Sequence, residues 1–95
     1  MIRAMWIVPK DNVATVTEPA ACGQSVVCSC GDRELTVSAL SEIPQYHKIA
    51  LCPIPCGAPI YKYGEVIGFA REIIPAGAHV HTHNTASSRE EVQLP

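Results

Sequence analysis

The sequence predicts an all-β domain with tight corners, and three observations carry that prediction. No stretch sustains an apolar period of 3.6 residues over three turns, so helix is scarce. Short segments rich in Val, Ile, Thr and Tyr alternate with clusters of Pro, Gly, Asp and Asn, the residue types that set turn conformations. An Ile-Pro frame recurs in "IPQYHKIAL" from Ile43, "IPCGAPIYK" from Ile54 and "IPAGAHVHT" from Ile74. Each copy reads as a corner that launches a strand, with proline presetting φ at the second turn position and Gly57 or Gly77 at the fourth position of a type I turn.

The elements follow in order. "MWIVP" (residues 5–9) opens as a short strand and ends in the turn cluster "KDN". "NVATVT" (12–17) alternates β-branched residues and stops at "EPAACG", and "SVVCSC" (25–30) stops at "CGDRE". "ELTVSAL" (34–40), "KIALCPI" (48–54) and "APIYKYG" (58–64) continue the pattern between Ile-Pro corners. In "EVIGFAREI" (65–73), Gly64 and Gly68 flank Glu-Val-Ile, which calls for a hairpin with a bulge or a close backbone approach. "HVHTHN" (79–84) is the last strand, and the polar stretch 85–95 lacks apolar period and reads as a loose tail. The expected organisation is therefore one domain over 1–84 and a flexible tail over 85–95.

Bulk properties exclude several functions. At 95 residues the chain is near the lower size at which one core holds a fold, so oligomerisation or docking to a partner is expected. Net charge is -2 and the basic residues are scattered, which gives no electrostatic footprint for nucleic acid. The apolar run before Pro9 is too short for a signal peptide or a bilayer span, which points to a cytoplasmic protein with no membrane partner. Five cysteines without an export signal read as reduced thiols. Their C-x-C (Cys28, Cys30) and C-x3-C (Cys52, Cys56) spacings only partly match zinc patterns, so packing is preferred for them and for Cys22.

The chemistry concentrates near the end of the chain. On a strand, His79, His81 and His83 line one face while Val80, Thr82 and Asn84 line the other. Neighbouring imidazoles on that face can converge on one cation, with at most two acting as ligands from a single strand. The plain alternative is a solvated histidine face. No P-loop, nucleophile elbow or dinucleotide fingerprint is present.

"HKIAL" (47–51), "YKYGEVIGFA" (61–70) and "IPAGAHVHTHN" (74–84) resemble the SAF domain of altronate and galactarate dehydratases, which also occurs as the small subunit of sulfolactate sulfo-lyase. The resemblance covers roughly residues 35–84 and is weak over the first 30. Where the family usually has glycine before His-Lys, this chain has Tyr46. The resemblance implies a β-clip fold, with bent two-stranded ribbons folded over on themselves. It also implies a larger catalytic subunit as partner, and a sugar acid or sulfolactate as substrate. The implied reaction is a metal-assisted β-elimination that dehydrates the sugar acid to a 2-keto-3-deoxy acid. The implied cofactor is a divalent metal, Fe(II) first, then Mn(II), Mg(II) or Ca(II).

By the same carry-over, His81 and His83 are candidates for catalysis and, with His79, for metal ligation. Lys62, Tyr63, His47 and Lys48 are candidates for substrate binding. Plain alternatives are a solvated strand lysine for Lys62 and packing for Tyr63 and His47, while Asn84 at the end of the motif reads as a turn cap. The closest rival function is the small subunit of a sulfo-lyase. A rival of another class is a stand-alone module that binds a metal or a sugar acid without turnover.

Overall fold

The structure, a computed structural model, describes residues 2–92 and is all-β as expected. Its strands are β1 (Ile2–Met5), β2 (Val13–Val16), β3 (Ser25–Cys30), β4 (Arg33–Ser38), β5 (Lys48–Ala50), β6 (Pro59–Lys62), β7 (Glu65–Ala70), β8 (His79–Val80) and β9 (Thr85–Ala86). Six form a sheet in the order β4-β3-β1-β2-β5-β8, and β6-β7-β9 form a second sheet. Only β1 and β3 run parallel; the other pairs are antiparallel. Among the described residues no helix is long and apolar enough to cross a membrane.

The Ile-Pro corners organise this architecture. Ile43, Ile54 and Ile74 are buried at 0 to 1% exposure. Ile54 and Ile74 exchange both backbone hydrogen bonds, at 2.7 and 2.9 Å. Ile43 does the same with Ala20, at 2.9 and 2.8 Å, which reveals a fourth corner, "AACG", that lacks the Ile-Pro signature. In every copy a backbone N–H donates to the carbonyl three residues earlier: Gln24 to Ala21, His47 to Pro44, Ala58 to Pro55 and Ala78 to Pro75. The third turn residue has φ of 85°, 66°, 85° and 86° at Gly23, Tyr46, Gly57 and Gly77. A positive φ at the third position belongs to type II geometry, which corrects the type I expectation. In the three Ile-Pro copies proline stands first in the turn and the isoleucine lies outside as the bridging residue; in the fourth, Ala21 and Ala20 take those places.

Two apolar clusters fill the interior. One gathers Val16, Val26, Cys28, Ile43 and Ile49, and the other Val13, Ile54, Ile60, Ile74 and Val80. Each fully buried isoleucine contributes about 1.5–3 kcal/mol by removal from water. Cys28 and Cys30, two apart on β3, are both buried, so this pair packs as small apolar side chains.

Several boundaries differ from expectation. The first strand is 2–5, not 5–9, because Asp11 N–H bonds to the Val8 carbonyl and the Val8 N–H to Asp11 Oδ2, drawing residues 8–11 into a turn. β6 and β7 form the expected hairpin, with a register shift beside Ile60 and Tyr61 as the bulge. The expected close approach occurs at Gly68, where a Cβ would lie 2.8 Å from the Ala86 carbonyl oxygen. The boundary expected after Asn84 falls inside the second sheet, since Thr85–Ala86 pairs with β7 and Ala86 is buried. A short 3-10 turn, Arg89–Glu91, follows, held by Ser87 Oγ donating to Glu91 Oε1 at 2.7 Å and by the Arg71–Glu91 ion pair. The rest of the expected tail, 93–95, lies outside the described residues.

Candidate functional site

β5 and β8 pair antiparallel with Ile49 opposite His79 and Lys48 opposite Val80. Continuing that register sets His47 against His81, and their rings stack with centroids 4.1 Å apart and planes within 6°. His47 also faces His79, with Nδ1 and Nε2 2.8 Å apart, so one nitrogen donates and the other accepts. His83 joins at 5.1 Å from the His79 ring. All four histidines of the chain thus form one cluster at the edge of the six-stranded sheet.

Only the first part of "HVHTHN" is strand. β8 ends at Val80 because Asn84 turns inward and closes the loop on itself. Asn84 Oδ1 accepts the His81 N–H at 3.0 Å, and Nδ2 donates to the His79 carbonyl at 2.8 Å. Thr85 Oγ1 adds a bond to the His81 carbonyl at 2.9 Å. Alternation survives at its start, with Val80 buried between His79 and His81 on the opposite face. Beyond that the expected flat histidine face becomes a turn, and the turn brings His83 back over His79.

Lys48 falls on the Val80 side of the strand pair, with the Lys62 charge as its neighbour. Burial lowers the Lys48 pKa first, and Lys62 lowers it further. Tyr63 follows Lys62 in the β6–β7 hairpin. It is 58% exposed at the hairpin turn, and the Lys62 ammonium lies 4.9 Å from the centre of its ring.

Neighbouring basic groups oppose protonation within the cluster. Burial, then the charges of His83, His47, His81 and Lys48, push the His79 pKa down to about 4. His81 is also lowered, by desolvation and then by His47, Lys48 and His83. Among the described residues the single ion pair is Arg71–Glu91, so neither Lys48 nor Lys62 is held in one. At neutral pH the arrangement offers an unprotonated His79 with the Lys48 charge near it. It can hold an anion and accept or relay a proton.

The imidazole donors suit a divalent transition metal, yet no three His, Cys, Asp or Glu side chains among the described residues converge to hold one. Stacking aligns ring faces, whereas coordination requires in-plane lone pairs aimed at a common point.

Sequence reasoning did not single out Asp11 and Asn12. Asp11 is 5% exposed, and its carboxylate accepts the N–H groups of Gly64 at 2.8 Å, Tyr63 at 3.0 Å and Val8 at 3.2 Å. Asn12 accepts the Tyr61 N–H at 2.8 Å and donates to the Pro59 carbonyl at 3.0 Å. In the sequence "KDN" is ordinary turn composition, and no local spacing reveals bonds to residues some fifty positions away.

The sequence profile of the altronate/galactarate dehydratase SAF domain matches residues 2–88. Altronate dehydratase of Escherichia coli (strain K12) is 38% identical over 82 residues, 86% of this chain and 16% of that protein. Galactarate dehydratase (L-threo-forming) of the same organism is 49% identical over 41 residues, 43% of this chain and 8% of that protein. The chain therefore spans a small fraction of these dehydratases. The (2R)-sulfolactate sulfo-lyase subunit alpha of Paracoccus pantotrophus is 35% identical over 63 residues, 66% of this chain and 94% of that subunit. With the profile matched over residues 2–88, this chain belongs to the altronate/galactarate dehydratase SAF-domain family.

Proposed function

We propose that the chain is the small SAF-domain subunit of a heteromeric lyase that dehydrates a sugar acid of the altronate or galactarate type. The observation that carries this reading is the four-histidine cluster with Lys48 near it, a base-rich site in which no ion pair ties up Lys48 among the described residues. The subunit reading is supported by the sulfo-lyase relative, in which a match of this size covers 94% of a protein named as a subunit.

In the reaction, the C2–H bond of the 2-hydroxy acid breaks and its electrons form the C2=C3 bond. The C3 hydroxyl leaves with a proton as water, and the enol tautomerises to the 2-keto-3-deoxy acid. His81 and His83 stand where a proton can be taken up or returned. His79 and His47 hold His81 by stacking and by their shared ring hydrogen bond. Lys48 and Lys62 bind the substrate's anionic group, with Tyr63 bracing Lys62. A divalent metal, Fe(II) first and Mn(II), Mg(II) or Ca(II) otherwise, would supply Lewis-acid stabilisation of the developing charge. One or two of His79, His81 and His83 would contribute ligands, the remainder coming from the larger subunit. The nearest second reading, the small subunit of a sulfo-lyase, is favoured by that length match and differs only in expelling sulfite.

The test is a tagged pull-down from the native cell, with mass spectrometry of the co-eluting chains and an assay for 2-keto acid from altronate, galactarate and sulfolactate. A stoichiometric larger partner with turnover supports the split lyase and names the leaving group. A lone chain that holds metal or sugar acid without turnover would replace it with a binding module. In the assembled enzyme, His81→Ala lowers kcat by roughly 100-fold or more while leaving the thermal midpoint within a few degrees.

A further inference from the structure

Two loops far apart in sequence meet at one carboxylate. Asp11 is buried with no cationic partner among the described residues. Both of its oxygens are used by backbone N–H groups, two of them from the turn Tyr63–Gly64. That turn has φ of 56° at Tyr63 and 76° at Gly64, the double positive φ of a type I′ hairpin. A tyrosine in that conformation is strained, and bonds from outside the hairpin hold it there. Lys62 immediately precedes the turn and pairs with Glu65 across it.

The other end of the tether reaches the histidine cluster. Asn12 bonds to β6 on both sides of Ile60 through Pro59 and Tyr61, and its own carbonyl accepts the Leu51 N–H at 2.9 Å, just past β5. The next residue, Val13, pairs with Ala50 of β5, the strand that carries Lys48. The Asp11–Asn12 segment is thus the joint between the hairpin that carries Lys62 and the strands that carry His47, Lys48 and His79.

We propose that Asp11 is a positioning residue for the candidate site: through the amides of Tyr63 and Gly64 it fixes the turn after Lys62, and with it the place of the Lys62 ammonium at the end of the hairpin. Asparagine cannot replace it, because one of its two terminal atoms is a donor and would face another N–H. The inference rests on the lyase reading for its catalytic consequence, but its geometry does not.

Asp11→Asn, Lys62→Met and the double variant are compared with the wild type by NMR at fixed pH. In Asp11→Asn, hydrogen exchange at Tyr63 and Gly64 accelerates by about tenfold or more, while Ile49 and Val80 keep their protection. The Lys48 ε-methylene signals move in the direction that Lys62→Met moves them. In the Lys62→Met background, Asp11→Asn then produces no further movement. Unchanged exchange at Tyr63 and Gly64, or Lys48 signals that respond to Lys62→Met but not to Asp11→Asn, would overturn the proposal and leave Asp11 as a fold residue alone. In the assembled lyase, Asp11→Asn raises KM several-fold with kcat nearly kept, and adds nothing in the Lys62→Met background. An assembly that turns over none of the three acids, with the NMR pattern intact, strikes the lyase reading and leaves the positioning role standing.

Discussion

At neutral pH His79 carries no proton, because burial and three neighbouring histidines oppose its charge and hold its pKa down to about 4, against 6.5 for a free histidine. The folded state therefore binds fewer protons than the unfolded chain between those two values, and stability rises with pH across that window. The contribution is complete above about pH 6.5 and is lost as pH falls toward 4. For a partly exposed cluster it amounts to roughly 1 kcal/mol after solvent screening. Urea midpoints measured at pH 7.5 and 5 should differ in that direction, and His79→Gln should shrink the difference. Residue identity at this scale was legible in the sequence, since alternating histidines announce themselves. That His47 completes the group was not, because 32 residues separate it from its bonded partner His79.

At the scale of elements, the four type II corners share one backbone path but not one environment. Gly77 has φ of 86°, and a Cβ there would run into the Ser38 carbonyl oxygen. Gly23 has φ of 85° with nothing within 4 Å. Gly23→Ala should cost about 1–2 kcal/mol from the left-handed conformation alone. Gly77→Ala should cost more, about 3 kcal/mol or greater, since the backbone oxygen cannot step aside. Denaturant melts of the two variants check the ordering, and equal losses would refute it. Tyr46 presents the reverse case, a tyrosine at φ 66° in the turn position that the other three corners fill with glycine. Tyr46→Gly should raise stability by roughly 1 kcal/mol, because the side chain is 69% exposed and little packing is given up. The Ile-Pro signature made three corners visible in the sequence. The fourth, at Ala20–Gly23, has neither Ile nor Pro and emerges only from its bridge to Ile43.

For the whole molecule, two small clusters share the burial that one larger core provides in longer chains. The cysteines report on this division. Cys28 lies wholly inside, and burial raises its thiol pKa to about 11, whereas Cys22 and Cys52 are exposed. A thiol reagent at pH 8 should label Cys22 and Cys52 promptly and reach Cys28 only as the chain unfolds, since the thiolate is the reactive form. Mass spectrometry of timed digests reads this directly, and early labelling of Cys28 would mean that the first cluster opens readily.

The sequence by itself determined the all-β class, the repeated corner, the family and the alternation of His79 and His81 about a buried Val80. These depend on residues within a few positions of one another, where periodicity and turn chemistry act. Tertiary structure alone decided that β8 stops at Val80, that β9 lies beyond the expected end of the domain, that four imidazoles gather, and that Asp11 holds the Lys62 hairpin. Each of these rests on a hydrogen bond or a strand register. Such pairings are chosen by how the two sheets bury their isoleucines, which no local window of the chain contains.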